Sequence, residues 1–199
     1  FSATDSRADY ALSEATVIYQ EDRILDLGAT RLRGLHNAEN VMAALAAVRA
    51  VNVQVEAAAE VFSEYAPPLH RCELIRILDG VEYINDSKAT NLHALEAALV
   101  SQARPSILIA GGKEKGLDYT PLLPVLEKRV NKVVAFGEIG PRLADVFAPV
   151  VETVVAATLG DAVQLARDAS TRGGTLLGSP GTSSLDMISR YEERGDAFR

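Results

Sequence analysis

Short apolar runs alternate with amphipathic stretches along most of the chain. Residues 16–19, 23–27 and 30–33 read as strands, each bounded by polar or glycine-containing turns. Between about residues 38 and 51, Val41, Leu45 and Val48 recur at helical spacing with alanines filling the sides. A second helix is predicted over about 55–65, where Pro67-Pro68 cannot continue it. Beyond the prolines, residues 73–78 and 81–85 flank Asp79-Gly80, a dipeptide suited to a two-residue hairpin turn. The remainder reads helix 91–101, strand 107–110, helix 120–129, strand 132–136, helix 140–147, a short strand near 153–155, helix 159–170, strand 175–177 and a last helix over about 184–194. Apolar runs of four or five residues separated by amphipathic helices predict right-handed βαβ crossovers. The fold expected is therefore α/β, with a mostly parallel, doubly wound sheet. The proline pair is the expected domain boundary, dividing residues 1–66 from 67–199.

Composition narrows the function classes. Apolar residues make up 48% of the 199 positions and charged residues 24%, the balance of a soluble globular protein. A net charge of -7 argues against a nucleic-acid or anionic-membrane surface, since either favours a basic excess. Cys72 is the single cysteine, so no intramolecular disulfide can form, and a reducing compartment is permitted. No apolar run is long enough to span a bilayer and no signal-type leader is visible, so a cytoplasmic location is expected. The chain opens at Phe1-Ser2 without an initiator Met and closes at Arg199 within a helical pattern, which reads as part of something larger.

Ligands of doubly wound sheets bind beyond the carboxyl ends of the strands. The segments predicted there are 85–91, 111–118, 137–140 and 178–184, and they are the Gly-, Ser- and Lys-rich stretches of the chain. Asn85-Asp86-Ser87-Lys88-Ala89-Thr90-Asn91 leaves a strand and enters a helix, with Thr90 or Asn91 as N-cap. Helix N-terminal amides attract anions, Asp86 can accept hydrogen bonds from a ribose, and Lys88 can meet a phosphate. Such a run also reads as a polar turn with a solvated lysine. Gly111-Gly112-Lys113-Glu114-Lys115-Gly116 matches neither a Walker A loop nor G-x-G-x-x-G, although Lys113 or Lys115 can neutralise a carboxylate or phosphate. Gly178-Ser179-Pro180-Gly181-Thr182-Ser183-Ser184 offers hydroxyls and amides, but lacks G-x-S-x-G and a paired histidine, so no serine nucleophile is assigned. Arg71 beside the prolines can clamp a phosphate or serve an ion pair, and the Asn37/Asn40 segment can cap a helix or read a base edge. His36, His70 and His93 lack metal-ligand spacing, and no metal site is assigned.

Five segments occur in the order and approximate spacing of the Mur ligases, and together they resemble that family over nearly the whole chain from about residue 30. They are Gly34-x-His36-Asn37-x-x-Asn40, Leu69-His70-Arg71, Asn85–Asn91, Gly111-Gly112-x-x-Lys115-Gly116-x-Asp118 and Ser179-Pro180-x-x-x-Ser184-Leu185-Asp186. Tyr191-Glu192-x-Arg194-Gly195-x-x-Phe198 fits as well. The Ser-Lys-Ala-Thr-Asn run is similar to the branch that adds D-glutamate to UDP-N-acetylmuramoyl-L-alanine.

The resemblance implies an ATP- and Mg2+-dependent amide ligase of peptidoglycan-precursor synthesis, working through an acyl phosphate as a monomer. Residues 1–66 would then be the end of a central ATP-binding domain, and 67–199 a Rossmann-like domain that brings the amino acid. Asn40 corresponds to an adenine contact, Arg71 to an arginine reaching ATP phosphate, and Asp86 and Lys88 to the nucleotide side, with Arg71 and Lys88 in the catalytic roles. Thr90, Lys115, Ser184, Leu185 and Tyr191 correspond to positions around D-glutamate. The P-loop and metal ligands of the family are not in this sequence, so the chain by itself is expected not to catalyse ligation. Another Mur-type or folylpolyglutamate-type ligase, or a non-catalytic nucleotide-binding module, are the alternatives.

Overall fold

The computed structural model describes residues 1–32, 34–183 and 190–199, arranged as two compact units, Phe1–Pro67 and Pro68–Arg199. In the first unit, strands β1 (Tyr10–Ser13), β2 (Thr16–Tyr19) and β3 (Asp22–Asp26) form an antiparallel sheet. Helices α1 (Leu35–Ala50) and α2 (Val55–Glu64) follow. Val17, Val41, Met42 and Leu45 are fully buried at the centre of this unit's core. Two expectations are corrected here. Strand β1 was not anticipated, because Tyr10-Ala11-Leu12 is a brief apolar run among polar neighbours; its Tyr10 pairs with Tyr19, ring centroids 4.6 Å apart. Residues 30–32 form no strand. Thr30 is instead a buried turn residue whose hydroxyl donates to the Leu27 carbonyl (2.9 Å) and accepts from the Leu32 amide (3.1 Å), while Arg33 lies outside the described residues.

The second unit is a six-stranded sheet flanked by helices. Its elements are β4 (Glu73–Leu78), β5 (Val81–Asn85), α3 (Leu92–Ser101), β6 (Ser106–Gly111), α4 (Leu123–Arg129), β7 (Val130–Phe136), α5 (Gly140–Phe147), β8 (Thr153–Ala156), α6 (Leu159–Ala169), β9 (Thr175–Gly178) and α7 (Tyr191–Ala197). The strand order is β4-β5-β9-β6-β7-β8, and every pairing except β4·β5 is parallel. The α/β, mostly parallel, doubly wound expectation therefore holds. The Asp79-Gly80 turn joins the antiparallel pair with both residues at positive φ (54° and 79°), as a two-residue primed turn requires.

Strand alternation explains how one sheet feeds two cores. Leu108, Ala110, Val133, Ala135 and Leu177 face the side covered by α3, α4 and α5, through Leu95, Leu99, Leu126, Leu143 and Phe147. Ile107, Ile109, Val134, Phe136 and Leu176 face the other side, packing with Leu159, Ala162 and Ala166 of α6 and with Phe198. All six residues of β6 are buried, which is why its sequence is uniformly small or apolar rather than alternating.

Of the last helix, expected over about 184–194, residues 184–189 are outside the described residues; Arg190 is extended (φ -144°, ψ 153°), which interrupts that span, and the helix described runs Tyr191–Ala197. Glu192 and Glu193 occupy its first turn, where the helix dipole favours acidic residues. Phe198 caps its end and is buried against β9, which accounts for the apolar position that closes the sequence pattern.

Candidate functional site

The return of the chain as β9 between β5 and β6 brings four loops to one end of the sheet. Backbone bonds stitch them together: Asp86 N to Gly178 O (2.8 Å), Gly181 N to Ala89 O (3.0 Å), Gly111 N to Pro180 O (3.1 Å) and Ile139 N to Gly112 O (3.1 Å). Gly111 and Gly112 both have positive φ (143° and 131°), and a Cβ on either would collide with a carbonyl, that of Phe136 or Ser183 respectively. These glycines thus serve the close approach of loop to loop. Asn91, N-cap of α3, accepts from the Ala94 amide (2.8 Å) and fixes the exit of the first loop.

Asp86 is buried, and both of its oxygens are occupied. Oδ2 accepts from the Ser179 hydroxyl (2.7 Å) and Oδ1 from the Cys72 amide (3.1 Å). Burial pushes its carboxyl up to about 6, a rise that those hydrogen bonds and the nearby Arg71 charge oppose. Ser179 is fully buried and donates to Asp86, and the Thr182 hydroxyl donates to Lys113 O (2.6 Å). Both hydroxyls thus tie this loop to its neighbours.

Lys88 is exposed, and its ammonium sits 4.0 Å from the centroid of the Tyr191 ring. Tyr191 O in turn accepts from the Ser87 hydroxyl (2.7 Å). Across the site, Lys115 Nζ donates to Thr90 O (3.3 Å), so the first and second loops meet at these two residues. Among the described residues no carboxylate lies within ion-pair distance of Lys115, whereas Lys113 pairs with Glu138 at 3.4 Å. The structure thus gathers Arg71, Asp86, Lys88, Thr90, Lys115 and Tyr191 at one end of the second unit. Asn40 lies exposed on α1 of the first unit, and Ser184 and Leu185 fall outside the described residues.

Several residues that the sequence left without a role hold this end together. Buried Arg194 donates to Ser87 O (2.9 Å), Ser87 Oγ (3.0 Å) and Thr182 O (3.1 Å), tying α7 to two strand-end loops. Asn85, fully buried, accepts from the Ser87 amide and donates to Gly195 O (2.9 Å) and to His70 Nδ1 (3.1 Å). Because Asn85 Oδ1 is taken by an amide, its NH2 faces His70; Nδ1 is then the acceptor and the ring proton sits on Nε2, 3.7 Å from Asp196. The one available signal was the Arg194-Gly195 pair near the chain's end. A Cβ on Gly195 would overlap the His70 ring. Among the described residues no group of three His, Cys, Asp or Glu side chains could hold a metal ion.

A mostly parallel, doubly wound sheet flanked by helices, with cationic and carboxylate groups gathered at its strand ends, places the second unit in the α/β class. The sequence profile of the "Mur ligase, glutamate ligase domain" matches residues 70–180, and the chain belongs to the Mur ligase family. It is 44% identical over 174 residues to the UDP-N-acetylmuramoylalanine--D-glutamate ligase of Chlorobium limicola, covering 87% of this chain and 37% of that protein. The ligase of the same name from Lactobacillus acidophilus is 35% identical over 200 residues, covering 100% of this chain and 44% of that one. The chain thus spans less than half the length of these curated relatives. In fold it is similar to the UDP-N-acetylmuramate-alanine ligase of Thermotoga maritima, with a TM-score of 0.67 and 14% identity over 98% of this chain and 47% of that one. Folylpolyglutamate synthase of Thermotoga maritima gives 0.60 at 21% identity, over 96% and 47%.

Proposed function

We propose that this chain is the amino-acid-handling end of a longer, cytoplasmic ATP-dependent ligase that adds D-glutamate to UDP-N-acetylmuramoyl-L-alanine in peptidoglycan-precursor synthesis. The observation that carries the reading is the Lys115–Thr90 contact: a lysine with no carboxylate in ion-pair distance among the described residues, held at the edge of a helix N-terminus beyond the strand ends. D-Glutamate brings two carboxylates, which call for a cation and for backbone amides. Lys115 takes one carboxylate beside Thr90 and Tyr191, and Ser184 and Leu185, outside the described residues, are assigned to D-glutamate from the family resemblance alone. Arg71, Asp86 and Lys88 are the nucleotide side of the second unit; within the first unit, read as the end of a central ATP-binding domain, Asn40 is the residue proposed for adenine. The nearness of the Arg71 charge to Asp86 suits a site that holds both a ribose hydroxyl and phosphate.

In the reaction, phosphoryl transfer from ATP converts the substrate carboxylate to an acyl phosphate and leaves ADP. The amine then attacks that carbonyl, the C–N bond forms, and phosphate departs. What these residues supply is positioning of the amine, which needs no protein nucleophile. No residue described here is assigned to Mg2+, and the 199-residue chain is expected to release no phosphate from ATP. The test is phosphate release by the complete polypeptide with UDP-N-acetylmuramoyl-L-alanine, ATP and a panel of amino acids. Turnover saturating with D-glutamate and a D-glutamate KM raised at least about tenfold by Lys115→Ala, the value of one lost charge-assisted contact, are expected. Turnover with another amino acid in preference to D-glutamate would refute it.

A further inference from the structure

The second loop is held in shape by a pair of residues outside the pocket. Its two ends are fixed by hydrogen bonds: backbone bonds from Gly112 N to Phe136 O (3.2 Å) and Lys113 N to Ser183 O (2.9 Å) at the start, and Thr120 N to the Asp118 side chain (Oδ1, 3.0 Å) at the finish. Between them, residues 114–117 have no ladder to join. Glu114 takes over that task. One carboxylate oxygen accepts from the amides of both Lys115 (2.8 Å) and Gly116 (2.6 Å), folding the loop back on itself through Gly116 at φ +69°. The other oxygen accepts from Arg142 Nη1 (2.9 Å), and Arg142 Nη2 donates to Leu117 O (2.8 Å). Arg142 stands in the first turn of α5, whose Leu143 and Phe147 are buried in the core, so it reaches the loop from a rigid base.

We propose that Glu114 and Arg142 are positioning residues that set Lys115 for the incoming amino acid. The pair brackets Lys115 on both sides, fixing its own amide and the two residues after it, and thereby aims its side chain at Thr90. Two charge-assisted bonds from one planar guanidinium specify an orientation that a single point charge cannot. The inference rests on Lys115 being an amino-acid ligand.

Binding of D-glutamate to the 199-residue chain, measured by calorimetry, tests it. Arg142→Leu is expected to weaken binding about tenfold and Arg142→Lys only about threefold. In a Lys115→Ala background Arg142→Leu should change affinity less than about twofold, since a residue acting through another has nothing left to position. Glu114→Ala separates positioning from simple charge. Removing a negative charge beside the pocket favours an anion through the field alone, whereas loss of the clamp weakens binding, and weakening is expected. Amide exchange at Lys115 and Gly116 should quicken in Arg142→Leu while the melting temperature stays near that of the parent, because Arg142 is half-exposed. If Lys115→Ala weakens binding but Arg142→Leu and Glu114→Ala do not, the clamp is overturned and the pocket stands. If D-glutamate does not bind, or Lys115→Ala is silent, the amino-acid reading fails and the clamp's role with it.

Discussion

Asp86 is the residue where the site's chemistry and the fold's stability meet. Its carboxyl is buried with two protein donors, and its ionisation is displaced from 3.8 to about 6. Below 3.8 the folded and unfolded chains both carry the proton. Between 3.8 and 6 the folded chain keeps a proton that the unfolded chain has released, so this group's contribution to stability falls as pH rises through that window and is level above it. Stability of the parent relative to Asp86→Asn should therefore decline from pH 4 to 6, by at most on the order of 3 kcal/mol. Urea unfolding at several pH values checks this, and a pH-independent difference between the two proteins would refute it. The same environment suppresses the neighbouring thiol: burial, with the Asp86 charge and hydrogen bond added, pushes Cys72 far up. An aromatic disulfide reagent at pH 8 should label half-buried Cys72 at least about tenfold more slowly than a model thiol, because little thiolate is present. Labelling of the native protein as fast as a model thiol would contradict that account. At this scale the sequence was partly legible. The loop containing Asp86 and Lys88 could be placed at a strand end from spacing, but their partners Ser179 and Tyr191 lie far along the chain.

Among the elements, the hairpin and the helix starts were readable because their signals are local. Asp79-Gly80 specifies its turn by needing two positive φ values, and Asn91 caps α3 with its own side chain. Asn91→Ala is expected to cost about 1 kcal/mol, measured by chemical denaturation, and to loosen the entrance to the site where Thr90 sits. The start of helix α7 after extended Arg190 and its run to Ala197 were not legible, for the converse reason. Its position depends on tertiary partners, namely Arg194 on Ser87 and Thr182 and Phe198 beneath the sheet, and no periodic stripe announces them. Gly195→Ala tests how tightly that helix is docked. The added methyl would overlap His70, and a loss of at least about 2 kcal/mol is expected from overpacking a buried contact. A neutral result in thermal and urea unfolding would show that α7 is not anchored through His70 and Asn85.

For the molecule as a whole, strand order is the property the linear sequence conceals. Alternating apolar runs announce a parallel sheet, yet they do not say that β9 inserts between β5 and β6, so that Thr90 and Lys115 meet across the loop that leaves it. The acidic net charge of -7 is likewise a global quantity that masks the local basic set Arg71, Lys88 and Lys115. Mur ligase membership accounts for both, since a family fold carries loop positions that composition cannot. The central claim is that this end of the sheet holds D-glutamate, and a titration of the chain followed by backbone amide resonances tests it most directly. D-Glutamate should produce saturable shifts at Thr90, Lys115, Gly116 and Tyr191, with L-glutamate weaker and L-alanine silent. Shifts that are absent at these residues, or identical for all three amino acids, would contradict the account.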